Sequence, residues 1–168
     1  PGAVCCTNYS ITDVSADAPK SIYHSEDFGH FRGAMEIFDA EGDGIYELMQ
    51  WDSCFRYFMD DCGSCSPQPR AYFKYDKSSN QYVPAAGIMQ DFVRAGFDDS
   101  DRWLAEKYAE LQLTDGDLAI DLDLYRSALS HTVDLLYVGE EKRAWDVFDK
   151  YVVIAKAETR REVKKRLA

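Results

Sequence analysis

The sequence predicts an α+β protein with a strand-rich first half and a helical second half. Three observations predict it. Residues before Pro84 fall into short runs that alternate apolar and polar side chains, the period of a half-buried strand. Apolar residues after Pro84 recur at helical spacing. The chain of 168 residues is also long enough, and at 46% apolar rich enough, to bury a core. The expected division is a strand-rich lobe over 1–85 and a helical lobe of three to five helices over 86–168.

Tyr9 to Val14 and Ser21-Ile22-Tyr23 read as strands. Ala34 to Asp39 and Ile45 to Trp51 alternate, and Ala40-Glu41-Gly42-Asp43-Gly44 joins them, which predicts a hairpin. Phe55 to Phe58 is expected to extend the sheet. Pro67 and Pro69 make Cys62 to Arg70 a loop. Arg70 to Tyr75 and Gln81-Tyr82-Val83 predict a second hairpin.

Past Pro84, Ile88, Phe92 and Val93 start a short helix. Asp98, Asp99, Ser100 and Asp101 suit the start of a second, carrying Trp103, Leu104, Tyr108 and Leu111. Leu118 to Leu124 alternates as a brief strand could. Leu124, Ala128, Leu135 and Leu136 mark a helix ending at Gly139, and Ala144, Trp145, Phe148 and Tyr151 mark another. His131 lies among apolar positions and reads as a packed or surface histidine.

Charge narrows the function. The net charge of −11 disfavours phosphate backbones and anionic membranes, so no nucleic-acid partner is expected. No run approaches the roughly 20 apolar residues of a membrane-spanning helix. Ala157 to Ala168 is locally +3. It reads as a solvated last helix with cations at its C-terminal dipole end, against the sharper alternative of an arm gripping a partner.

Five cysteines, at 5, 6, 54, 62 and 65, lie in the first half. That density suggests an oxidising, extracytoplasmic compartment. Cys62-Gly63-Ser64-Cys65 has C-x-x-C spacing, but the prolines after it oppose the helix of a redox site. A structural disulfide, with Cys54 as competing partner, is preferred over zinc held with His24, His30 or Cys54.

The most specific pattern is Asp39-Ala40-Glu41-Gly42-Asp43-Gly44-Ile45-Tyr46-Glu47-Leu48. Side chains of Asp39, Glu41, Asp43 and Glu47, with the Ile45 carbonyl, can converge on one hard cation, and Gly44 permits the turn. Gln50 stands where an EF-hand has its bidentate Glu. The run resembles the Asp/Gly-rich hairpin loops of FG-GAP and VCBS repeats in secreted bacterial proteins, over about twenty residues, with Glu41 in place of Asp or Asn. That resemblance implies a structural Ca²⁺; the alternative is a plain hairpin in which Asp and Gly serve only as turn residues. Gly139, Ala144 and Phe148 have the spacing of a single tetratricopeptide-type helix hairpin, whereas an array needs about three units.

The reading is a non-catalytic extracytoplasmic module that binds a protein or small ligand, with a calcium loop. The rival readings are a hydrolase with acidic residues in a cleft between the lobes and a thiol redox protein at Cys62 and Cys65.

Overall fold

The computed structural model describes residues 8–15, 17–28, 31–60, 65–85, 90–113, 121–153 and 156–167. It is α+β: two antiparallel sheets in the N-terminal part and helices in the C-terminal part. No helix among the described residues is long and apolar enough to cross a membrane. Contacts divide the chain into two units, Pro1–Cys54 with Arg70–Met89, and Phe55–Pro69 with Gln90–Ala168. Residues 55–69 thus group with the helices, where the sequence placed them with the strands.

In the first unit, strands β1 (Ser10–Asp13) and β2 (Lys20–His24) form a two-stranded sheet. Strands β3 (Phe31–Phe38), β4 (Glu47–Asp52), β5 (Arg70–Asp76) and β6 (Gln81–Pro84) form an antiparallel sheet in that order. Both predicted hairpins are present. The β3–β4 register runs from Phe38 opposite Glu47 to Glu36 opposite Met49, then resumes at Arg32 opposite Trp51. Gly33, Ala34 and Met35 therefore span the place of Gln50 alone, a bulge that Gly33 accommodates with φ +73°.

The aromatic residues close the core of this unit. Tyr23, Phe31, Leu48 and Phe73 are buried together, with Ile11, Phe28 and Tyr82 packed around them. Tyr23 and Phe31 both meet Phe73 edge-on, at 5.3 and 5.8 Å between ring centres. Such pairs add about 0.5–1.5 kcal/mol beyond their burial.

The second unit holds helices α1 (Gln90–Leu113), α2 (Leu122–Tyr137), α3 (Glu141–Tyr151) and α4 (Lys156–Leu167). Asp121 caps α2 by accepting the Leu124 amide at 2.7 Å. Leu124 thus belongs to a first helical turn and not to a strand; Leu118 and Ile120 lie outside the described residues, as does Ile88. At the other end of α2, the Gly139 amide donates to Leu136 O and the Glu140 amide to Leu135 O, at 3.1 and 2.9 Å. Gly139 at φ +81° permits this double closure, which turns the chain into α3. Ala144 and Phe148 of α3 are fully buried.

Two expectations are overturned. Phe55 to Phe58 is not a strand: it is turn leading into a 3₁₀ segment, with Tyr57 and Met59 at φ +56° and +52°. The Phe55 and Phe58 rings meet at a tilt with centres 5.5 Å apart, Ser66 Oγ accepts the Phe58 amide, and Arg166 of α4 lies over the Phe58 ring. Likewise Asp98 to Asp101 does not start a helix, because α1 runs through it unbroken. Ser100 donates back to Gly96 O, and the two aspartates Asp98 and Asp101 serve Arg143 of α3.

One buried amide in the first unit is half satisfied. Gln50 is fully buried; its Oε1 accepts from the Tyr23 hydroxyl, while its Nε2 has no partner. A buried unpaired donor costs about 1–3 kcal/mol. Replacing both polar groups, Tyr23→Phe with Gln50→Met, should therefore leave the protein at least as stable as the wild type. Tyr23→Phe alone should lose about 1 kcal/mol by orphaning the amide completely. Urea unfolding of the two variants decides this.

Candidate functional site

The Asp39–Glu47 loop closes on itself. Asp39 Oδ1 accepts the amides of Gly42 and Asp43 at 2.7 and 3.1 Å, and Oδ2 accepts that of Gly44 at 2.9 Å. Asp43 Oδ1 accepts the Ile45 amide at 2.8 Å. Glu47, nearly buried, accepts the Ala40 amide at 2.8 Å. Gly42 and Gly44 sit at φ +70° and +79° with open space around them, so they serve backbone conformation. Asp39, Glu41 and Asp43 are exposed, and Ile45 is half-buried.

The second hairpin repeats the device. Asp76, at the end of β5, accepts the amides of Ser78 and Ser79 and both their hydroxyls. The Ser79 and Ser78 hydrogen bonds hold its carboxyl at about 2. In each loop the first-strand aspartate organises the turn. Among the described residues no three acidic, His or Cys side chains stand close enough together to hold a metal ion.

The helical unit carries a denser constellation. Asp101 of α1 is shared by two partners. His131 Nε2 of α2 lies 2.8 Å from Oδ1, and Arg143 of α3 reaches Oδ2 through Nε and Nη2 at 3.1 and 2.6 Å. Arg143 Nη2 also lies 2.8 Å from Asp98. The Phe97 ring meets His131 edge-on. Burial pushes the Asp101 carboxyl up, but hydrogen bonds from Arg143 and His131 outweigh it and hold the group below its ordinary value. Burial pushes the His131 imidazole down, and Asp101 only partly counters this. Neutral His131 therefore donates from Nε2 to an ionised carboxylate. Sequence spacing could not show this, since His131 and Arg143 lie 30 and 42 residues from Asp101 along the chain.

Beside this network, α1 and α2 line a groove of about 480 Å³. Asp99, Ser100 and Trp103 come from α1; Ser127, Ser130 and Asp134 come from α2. The nearly inaccessible Leu104 and His131 also line it. Trp103 is 43% exposed. The size lies within the range of small-ligand sites.

The basic C-terminal segment is engaged within its own unit. Lys156 and Arg160 pair with Asp149, and Lys165 and Arg166 pair with Glu162. Arg160 and Lys164 lie over the Trp145 ring. Cys54 is a half-buried thiol. Cys65 is described, whereas Cys5, Cys6, Cys62 and His30 lie outside the described residues. No family of known proteins, no curated protein and no solved structure matches the chain.

Two predictions follow from these geometries. Asp39→Ala should destabilise the protein by about 1–2 kcal/mol, as loss of a cap does, and thermal melts in EDTA and in Ca²⁺ should coincide. A rise in Tm specific to Ca²⁺ would show that the loop exchanges its amides for the cation. The second concerns pH. The unfolded chain binds a proton at His131 near 6.5, and the native state binds it only lower. The stability is therefore full above that value and lost as pH falls through it toward the folded pKa. The Tm gap between wild type and His131→Gln should be constant above about pH 7 and shift against the wild type below about pH 6.

Proposed function

We propose that the protein is a non-catalytic binding module whose ligand seats in the groove between α1 and α2. The observation that carries this reading is Trp103: a large indole lining a concavity of about 480 Å³ and 43% exposed. An aromatic face together with a few placed polar groups, here Ser100, Ser127 and Ser130, is the usual composition of a ligand site. The helices that form it are braced. Asp101 ties α1 to both α2 and α3, so the groove walls are held before any ligand arrives. Preorganisation of that kind lowers the ordering cost of binding.

Asp101, beside the groove, is set for bracing rather than for acid–base chemistry. Asp101 has both oxygens committed to hydrogen bonds, and its carboxyl is held low. A general acid working near neutrality needs its pKa raised toward that pH.

An NMR screen of the ¹⁵N-labelled protein against small fragments of neutral, cationic and anionic type tests the reading. Binders should shift the amides of Ser100, Ser127 and Ser130 and the Trp103 indole together. Shifts confined to other parts of the chain, or chemical turnover of a fragment, would sink it.

A further inference from the structure

We propose that the ligand of the α1–α2 groove is a small organic cation, bearing an ammonium or guanidinium group that lies on the Trp103 ring; this rests on the groove being a binding site. Three independent observations converge on that class.

The first is what the other tryptophans do. Trp51 is half-buried with the Arg70 guanidinium 5.6 Å from its ring centre. Trp145 is half-buried with Arg160 at 4.7 Å and Lys164 at 5.4 Å. Trp103 is the exposed one, and among the described residues no cation lies over it. The nearest lysine along its helix face, Lys107, is turned to Glu110 and Asp121 at 3.6 and 3.9 Å. A cation over an indole gains electrostatically from the ring quadrupole, and most strongly over tryptophan.

The second is the charge around the groove. Asp99 of α1 and Asp134 of α2 line it on opposite helices. Asp99 pairs with Arg102, and both side chains are largely exposed, where such a pair is weak. Among the described residues, no lysine or arginine lines the groove. The chain as a whole carries −11, so its field draws cations and repels anions.

The third lies within the molecule. On the same helix, Asp98 and Asp101 already hold a guanidinium, that of Arg143, at 2.6 to 2.8 Å. The run Asp98-Asp99-Ser100-Asp101 thus displays one guanidinium site in use, and Asp99 and Ser100 from the same run line the groove. The volume is that of a small molecule, which sets the occupant apart from a protein surface.

The probes are arginine methyl ester and choline, with N-acetylglucosamine as neutral and citrate as anionic controls, followed by the Trp103 indole resonance and by tryptophan fluorescence. The two cations should shift the indole saturably. Trp103→Ala should weaken them by about tenfold or more, and Trp103→Phe, which keeps an aromatic face, should retain most of the affinity. Asp99→Asn, at an exposed position, should weaken them a few-fold, and raising the salt to about 0.5 M should do the same. Thermal melts of each variant verify that it is folded. If the neutral or anionic control binds at Trp103 as well as the cations do, the cationic class is overturned while the groove remains a binding site. If no probe of any charge perturbs the groove, both proposals fall. Binding of a lysine-rich peptide without binding of either small cation would overturn the small-molecule occupant.

Discussion

One carboxylate organises the helical unit. Asp101 presents two oxygens, and each goes to a different helix: Oδ1 to His131 of α2, Oδ2 to Arg143 of α3. Apolar burial drives helices together but is indifferent to rotation and sliding. A guanidinium setting two donors on one oxygen and a single imidazole hydrogen bond are not indifferent, because they require particular donor positions. The apolar residues of α2 and α3, from Leu124 and Val133 to Ala144 and Phe148, supply the attraction. Asp101 sets the rotation of α1 against them, and that rotation is what places Trp103 opposite Ser127 and Ser130 across the groove.

The extent to which the sequence disclosed this follows from the range of each interaction. The hairpins were legible because their signals are local: alternation, then Gly and Asp, then alternation. The end of α2 was legible because Gly139 is the residue that its closing turn demands. The continuity of α1 was not. Asp98 to Asp101 has the local chemistry of a helix start, and the decisive partner, Arg143, lies more than forty residues away. Phe55 to Phe58 failed for a related reason. Its backbone enters the left-handed region at Tyr57 and Met59, which residue type does not announce, and its aromatic rings pack in the helical unit. The groove was visible only as Trp103, one aromatic residue among apolar neighbours.

The Asp39–Glu47 loop shows how one pattern supports two kinds of chemistry. Backbone amides and metal ions both seek carboxylate oxygens. Asp39 serves three amides, and Asp76 serves its own turn in the same manner. The same carboxylate spacing that suggests a cation also serves turn formation. The basic final helix likewise has part of its charge engaged locally: Arg166 pairs with Glu162 of the same helix, and Arg160 pairs with Asp149 and lies over the Trp145 ring.

The bulge in β3 has a consequence for how copies of the chain behave together. β3 ends its sheet, and an end strand offers backbone donors and acceptors to whatever extended segment comes near. With Ile37 exposed on it, an uninterrupted eight-residue strand would be an adhesive template. Gly33, Ala34 and Met35 break that run in the middle, so the regular ladder is confined to the short stretches on either side. The irregularity that shifts the register between Arg32 and Glu36 is also what makes the strand's outer border a poor nucleus for cross-β association between molecules.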